Sequence, residues 1–240
     1  MSDPRTDLDR RLGAYAAEVV RWNRQINLVS RQDSARRVDE LVSQCRIAGA
    51  VLGDEILGDW DTVEPTAYFD LGSGGGLPGI VWHLLFGERF PALCTTLVEP
   101  REKRAWFLER QAVLAPGRPL AVHCGRWGEG PGPAVGTPAP GQILISLKAL
   151  HLPDPVVLQG LEPAPGSAAL AAGARIVIAR FYPPEQTWTD VLAGDLGAVG
   201  SRHETDDYIY RAVERRVVGP GAGGTASLVI SSYEAALKRP

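Results

Sequence analysis

Apolar residues recur at helical spacing in the first quarter of the chain and then fall into short, strand-like runs. Between residues 6 and 24 they stand three or four positions apart, as on one face of an amphipathic helix. The same spacing predicts a second helix over residues 34–52. From residue 67 to about residue 181, buried-type runs alternate with helical stretches. This alternation predicts an α/β fold with a doubly wound, mostly parallel sheet.

The order of the predicted elements suggests how the chain is organised. Strands are expected at 68–71, 94–99, 120–124, 143–147, 175–181, 208–218 and 227–232. Helices are expected from Pro78, over 102–114, briefly within 152–166 and weakly after Pro184. Residues 130–141 are rich in proline and glycine and predict a loop. We therefore expect an N-terminal helical extension over 1–65 and an α/β domain over 66–240.

Composition and charge narrow the possible classes of protein. The 240 residues are 45% hydrophobic and 22% charged, which is typical of a globular protein and excludes wholesale disorder. The net charge of −3 excludes a strongly basic protein that coats nucleic acid, although a local basic patch is still compatible with it. No apolar run has the length of a transmembrane helix and the first residues form no signal region, so we expect a cytoplasmic protein without a membrane partner.

Cysteines and histidines give no sign of a disulfide framework or a metal site. Cys45, Cys94 and Cys124 stand far apart and show no paired spacing, which fits a reducing compartment. His123 and His151 are isolated and match no spacing of metal ligands. No metal is expected.

A glycine-rich loop follows the first predicted strand and leads into a helix. Its glycines stand at positions 72, 74 and 76, where the backbone must turn sharply or approach a ligand closely. The dinucleotide fingerprint would need a glycine at Leu77, and a Walker loop would need a lysine. A loop that binds pyrophosphate is therefore disfavoured.

Two carboxylates flank this loop. Asp70 precedes it, and Glu99 ends the next predicted strand, where a carboxylate can accept hydrogen bonds from both hydroxyls of a ribose. An acidic residue beside the loop suits a cationic ligand better than a phosphate. Together they point to a nucleoside that carries an amino-acid tail, S-adenosylmethionine. A purely structural glycine turn is the alternative interpretation.

Three segments carry a resemblance to a known family. They are Trp22–Ser30, Asp70–Ile80 and Glu99–Leu108. Each is similar to a segment of the glucose-inhibited division protein B family, bacterial methyltransferases that modify guanine N7 in the RNA of the small ribosomal subunit. The resemblance implies a Rossmann-like methyltransferase domain over 66–240 with S-adenosylmethionine as its cofactor. It also implies ribosomal RNA or the small ribosomal subunit as the partner, and we expect a monomer.

The resemblance also implies roles for individual residues. Contacts with the cofactor are implied for Asp70, Gly72, Ser73, Gly74, Gly76, Leu77, Glu99, Arg126, Trp127 and Ser146. Lys148 and Arg180 are the candidate catalytic residues, because either can donate a hydrogen bond to guanine O6 and stabilise developing charge. Guanine N7 carries a lone pair and no proton, so alignment and exclusion of water suffice and no general base is needed.

The chain departs from the family pattern on the side of the methyl acceptor. Gln44 and Ile47 stand where the family has histidine and aspartate, and Leu147 stands where it has arginine. Two alternatives therefore stay open. One is a methyltransferase of the same fold that acts on a small molecule or another RNA. The other is a non-catalytic homologue that binds the cofactor or RNA.

Overall fold

The structure is a computed structural model that describes residues 4–129, 139–162, 170–182, 199–218 and 227–238. Most of the predicted loop, residues 130–138, lies outside the described residues, and so does the helix predicted after Pro184. The helices are α1 (Pro4–Trp22), α2 (Ser34–Glu55), α3 (Gly79–Phe86), α4 (Glu102–Glu109) and α5 (Asp154–Gln159). The strands are β1 (Thr66–Leu71), β2 (Leu93–Val98), β3 (Leu120–His123), β4 (Gln142–Lys148), β5 (Arg175–Tyr182), β6 (Arg202–Glu204), β7 (Tyr208–Val218) and β8 (Ser227–Leu237).

The described strands form one sheet in the order β3-β2-β1-β4-β5-β8-β7-β6. The first five strands in this order are parallel, and β8, β7 and β6 continue the sheet in antiparallel pairing. The predicted α/β fold with a mostly parallel sheet is confirmed. The chain runs outward from β1 to β3 and then returns to the other side of β1 as β4. A crevice is expected where the strand order reverses in this way, outside the carboxyl ends of β1 and β4.

Two apolar layers cover the sheet, one on each face. The upper layer packs α1, α2, α3 and the end of α4 against residues such as Tyr68, Leu144 and Val177. The lower layer packs α5 against the alternate residues of the same strands, such as Phe69 and Ile145. Successive side chains of a strand point to opposite faces, so the central strands β1, β2, β4, β5 and β8 contribute to both layers.

The N-terminal helices share the core of the sheet. Tyr15, Val19, Val38 and Cys45 are fully buried and belong to the same apolar cluster as α3 and the upper face of the strands. The Trp82 indole of α3 donates a 2.8 Å hydrogen bond to the Cys45 carbonyl of α2. Residues 4–55 therefore pack as part of the upper layer.

Two expectations differ in detail from the structure. The helix predicted over 102–114 is divided, because a 3-10 helix (Arg110–Leu114) takes over after α4. The short edge strand β6 was not expected, since three residues are too few to show an alternating pattern.

Candidate functional site

A cleft of about 420 Å³ opens at the carboxyl ends of the central strands, where the strand order reverses. It lies between the segments that follow β1, β2, β3 and β4. Its lining residues are Leu71, Gly72, Val98, Glu99, Pro100, Arg101, Arg104, Gly125, Arg126, Trp127, Glu129, Ala149, Leu150, Leu152 and Val156. The position is the one at which open α/β sheets bind ligands.

The glycine loop turns through three residues in the left-handed region. The φ angles of Gly72, Gly74 and Gly76 are +70°, +58° and +94°, a conformation that side chains with a Cβ adopt only at a cost. A Cβ on Gly76 would also lie 2.7 Å from Ile80 and 3.1 Å from both Leu108 and the Tyr15 hydroxyl. Glycine at position 76 is therefore needed for packing of the loop against the helices.

Glu99 joins the glycine loop to the cleft. Its carboxylate follows β2, is 3% exposed and accepts hydrogen bonds from the Gly74 amide at 2.8 Å and the Arg101 amide at 3.0 Å. Each carboxylate oxygen can accept more than one hydrogen bond. Glu99 therefore keeps acceptor capacity while its orientation is set by two backbone N–H groups.

Asp70 lies behind the loop in a buried polar network. The Ser146 hydroxyl donates to its carboxylate, the Ser73 hydroxyl donates to its main-chain carbonyl at 2.8 Å, and the Tyr68 and Ser146 hydroxyls are 2.9 Å apart. Burial raises the pKa of Asp70 to about 6, although the hydrogen bond from Ser146 opposes this shift. The network fixes the end of β1 against β4 just before the glycine turn.

Helix α1 and the segment after it pack directly on the glycine loop. The Tyr15 hydroxyl donates a 2.7 Å hydrogen bond to the Gly75 carbonyl. Leu28 lies close enough to Gly75 that a Cβ there would meet it at 3.4 Å. The Asn23 side chain shapes this segment, because its oxygen accepts hydrogen bonds from the amides of Leu28 and Val29 at 2.9 and 3.0 Å.

Trp127 forms one wall of the cleft. Its indole N–H donates to the Val157 carbonyl of α5 at 2.9 Å, and its ring packs edge-to-face on Phe69 with centroids 5.2 Å apart. The neighbouring Arg126 is exposed at the same wall. The wall is therefore tied to both β1 and α5.

Lys148 ends β4 on the upper face, the same face as Ser146. Burial lowers the pKa of its ammonium group, an effect that the nearby Cys45 and Asp70 oppose. The same burial raises the pKa of the Cys45 thiol to about 12. Lys148 thus brings a partly buried positive charge between α2 and the Asp70 network.

Arg180 lies on the opposite, lower face of the sheet and does not line the cleft. Its guanidinium forms an ion pair with Asp154 and donates a 2.8 Å hydrogen bond to the Leu152 carbonyl. The Tyr233 hydroxyl also donates to the Asp154 carboxylate. These side chains tie the start of α5 to β5 and β8.

The predicted site residues thus divide into three groups. Gly72, Glu99, Arg126 and Trp127 line the cleft, and Gly74 joins them through its bond to Glu99. The second group lies in the glycine loop or in the buried network behind it and does not line the cleft. Its members are Asp70, Ser73, Ser146, Gly76 and Leu77. The two candidate catalytic residues, Lys148 and Arg180, are not brought together, because they point to opposite faces of the sheet.

Several lining residues were not anticipated from the sequence. Arg101 and Arg104 line the cleft beside Glu99, and their place in the same short segment was a usable signal. Leu150 and Leu152 follow β4, where the carboxyl end of a strand was already expected at the site. Tyr15 does not line the cleft but contacts the glycine loop, and the sequence offered no signal for this role, because Tyr15 is one of several apolar residues on α1.

Within the ranges that the structure describes, no group of three or more His, Cys, Asp or Glu side chains is arranged to hold a metal ion. None of the helices in these ranges combines the length and the apolar character needed to cross a bilayer.

Comparison with known proteins points to one family. Residues 9–121 match the model of the GidB family, described as rRNA small subunit methyltransferase G. A protein named Ribosomal RNA small subunit methyltransferase G from Ruegeria sp. is 32% identical over 120 residues, which cover 47% of this chain and 54% of that protein. The protein of the same name from Granulibacter bethesdensis is 34% identical over 116 residues, 48% of this chain and 47% of that one. The matches thus span about half the length of these relatives.

Solved structures of low sequence identity show more distant likenesses. A mutant of MtNAS in complex with S-adenosylmethionine has a TM-score of 0.49 at 15% identity, covering 96% of this chain and 73% of that one. An rRNA methylase from Streptococcus thermophilus has a TM-score of 0.44 at 8% identity, covering 80% and 97%.

Proposed function

We propose that this chain, whose residues 9–121 match the GidB family model, is a cytoplasmic, S-adenosylmethionine-dependent methyltransferase that acts on guanine N7 of small-subunit ribosomal RNA. The observation that carries the proposal is the Glu99 carboxylate. It is oriented by two backbone N–H groups at the mouth of a cleft, beside a glycine turn and at the point where the strand order reverses.

The residues of the cleft fit this cofactor. Glu99 offers acceptors for ribose hydroxyls. Gly72 has no side chain at the rim of the cleft, and a Cβ at this position would lie 3.2 Å from Leu150 and narrow the opening. Trp127, Leu150 and Val156 supply an apolar wall for adenine. The volume of about 420 Å³ falls within the range of about 300–1,000 Å³ that is usual for small-molecule sites.

The proposed reaction requires the protein to align the methyl donor with the acceptor and to exclude water from the site. S-adenosylmethionine, when bound, supplies an electrophilic methyl group on a sulfonium. Guanine N7 has no proton to remove, so the residues have to hold two reactants in line, and such alignment supplies about 7–11 kcal/mol of rate acceleration in model reactions. The rigid glycine loop, held by Tyr15 and Glu99, serves this purpose.

On the acceptor side we assign Lys148 and Arg180 different roles. Lys148 lies on the face of Asp70, and its ammonium can donate a hydrogen bond to guanine O6. Arg180 is a positioning residue, because it acts through Leu152 and Asp154 and so holds the cleft wall formed by Leu152 and Val156.

Glu99→Gln tests the proposal at the cofactor. The variant replaces the charged acceptor that we propose for the ribose hydroxyls with a neutral amide, and hydrogen bonds to charged groups contribute about 1.5–3 kcal/mol. We expect the affinity for S-adenosylhomocysteine, measured by calorimetry, to fall about tenfold or more. The matched control is Glu109→Gln, which alters an exposed carboxylate at the end of α4 outside the cleft and should leave the affinity nearly unchanged.

Transfer of labelled methyl groups identifies the acceptor. The purified chain is incubated with methyl-labelled S-adenosylmethionine and small ribosomal subunits from cells that lack it. Label in the RNA of the subunit, lost in Glu99→Gln, supports the proposal. Label that appears only in small molecules would show that the acceptor has changed, and failure of the wild-type chain to bind S-adenosylhomocysteine would contradict the proposal itself.

A further inference from the structure

We propose that a surface notch between Trp22 and Trp106 binds an unpaired base of the RNA strand that the cleft methylates. This inference rests on the proposed function, since it takes RNA as the substrate. The notch has a volume of about 380 Å³ and is lined by Trp22, Gln25, Ile26, Glu102, Lys103 and Trp106. None of these residues contributes to the cleft.

Two indole rings meet at this notch. Trp22 ends α1 and Trp106 projects from α4, and the rings pack edge-to-face with centroids 4.9 Å apart. Trp106 is nevertheless 43% exposed, although an indole offers more apolar area than most side chains to be buried. Its partner Trp22 is held in place by a 3.0 Å hydrogen bond from its indole N–H to Glu18. The notch is therefore a preformed aromatic surface open to solvent.

Cationic side chains surround the rings. The guanidinium of Arg110 lies 5.0 Å from the ring centroid of Trp106, that of Arg21 lies 5.3 Å from the ring centroid of Trp22, and Lys103 lines the notch. Two carboxylates accompany them, Glu18 in a 3.2 Å ion pair with Arg21 and Glu102 at the rim. The three cations thus outnumber the two carboxylates, which favours a polyanionic partner at the notch.

The notch and the cleft share one helix. Arg101, just before α4, and Arg104 line the cleft, whereas Lys103 and Trp106 line the notch on another side of the same helix. Neighbouring residues of a helix are only 1.5 Å apart along its axis. The segment that follows Trp22 is also tied to the cleft, because the Asn27 carbonyl accepts a hydrogen bond from Arg104. A strand that enters the cleft can therefore cross α4 and reach the notch.

Aromatic rings beside cations favour single-stranded RNA as the occupant. Proteins that bind single strands combine stacking platforms with basic side chains that follow the backbone. A second copy of this chain would bring the same mixture of cations and carboxylates to a symmetric contact, and sedimentation distinguishes this outcome below. An apolar segment of a protein partner would leave the excess positive charge of the notch uncompensated.

Binding of a short, fluorescein-labelled single-stranded RNA tests the inference, with an abasic strand of the same length as the second probe. Trp106→Ala should weaken binding of the intact strand by about fivefold to 100-fold, the range seen when a stacking side chain is truncated. Its binding of the abasic strand should stay near that of the wild type. Trp106→Phe should restore most of the affinity, and Val113→Ala, which truncates an exposed apolar residue outside the notch, should change nothing.

Three results would overturn the inference. They are equal affinity of Trp106→Ala and wild type for the intact strand, equal losses for the intact and abasic strands, and a dimer in sedimentation that Trp106→Ala dissociates. Circular dichroism checks that the variants are folded.

Calorimetry with S-adenosylhomocysteine and methyl transfer to small ribosomal subunits report on the proposed function separately. If both succeed while Trp106→Ala binds RNA normally, only the notch inference fails. If methyl transfer fails while Trp106→Ala still distinguishes the two strands, the notch stands and the proposed substrate fails.

Discussion

Arg180→Met should destabilise the fold strongly without removing a contact with substrate. The Arg180 and Asp154 side chains are 4% and 1% exposed. Methionine would leave the Asp154 carboxylate buried without its cation and the Leu152 carbonyl without its donor. Removing one partner of a buried ion pair costs about 3–5 kcal/mol. In a domain of this size that corresponds to a fall in Tm of about 6–20 °C.

Urea unfolding of a double-mutant cycle measures this effect. The double variant Arg180→Met with Asp154→Leu should recover most of the lost stability, because an apolar replacement of both partners removes the unpaired charge. At a temperature where Arg180→Met is folded, its affinity for S-adenosylhomocysteine should change far less than that of Glu99→Gln. If Arg180→Met unfolds like the wild type but cannot transfer methyl groups, Arg180 contacts the substrate and the argument from burial is refuted.

Two further predictions concern the glycine loop and the network behind it. Burial raises the pKa of Asp70 to about 6, from an ordinary value of 3.8, so the wild type should lose stability as the pH rises through about 6. Asp70→Asn cannot ionise, so its free energy of unfolding relative to that of the wild type should increase from pH 4 to pH 7 by up to about 3 kcal/mol, as measured by urea unfolding. A difference in free energy of unfolding that stays constant with pH would contradict the burial argument. Gly76→Ala should be destabilising, since its Cβ would lie 2.7 Å from Ile80 at a φ of +94°. Gly13→Ala, in α1, should stabilise the fold by up to about 1 kcal/mol, because its Cβ would meet no atom within 4 Å. Thermal melts that shift the Tm of Gly76→Ala and Gly13→Ala in the same direction would refute this reasoning.

Local patterns were sufficient to predict the elements that carry the site. The alternation of strands and helices predicted the parallel sheet, and the spacing of glycines and acids predicted that Gly72 and Glu99 would meet at one edge. These features depend on residues close together in the chain. They also depend on the rule that the carboxyl ends of parallel strands share one edge.

Contacts between distant segments could not be predicted in the same way. Arg180 and Asp154 stand 26 positions apart in the chain (180 − 154), and nothing in the local sequence indicates that β5 and α5 bring them together on the lower face. Tyr15 is one of several apolar residues on α1, and only the packing of α1 over the loop shows that its hydroxyl reaches Gly75. The sequence pattern distinguishes a buried face from an exposed one. It does not say which buried polar group finds which partner.

The faces of the sheet also limit how an acceptor can be recognised. Leu147 is 1% exposed in the lower layer, whereas Lys148 points to the upper face beside Cys45 and Asp70. Adjacent strand residues point to opposite faces, so the ammonium group of Lys148 cannot occupy the place that the side chain of an arginine at position 147 would take. An acceptor held by Lys148 must therefore approach between α2 and the end of β4. Arg37 of α2 carries a like charge that helps to lower the pKa of Lys148, an effect smaller than that of burial.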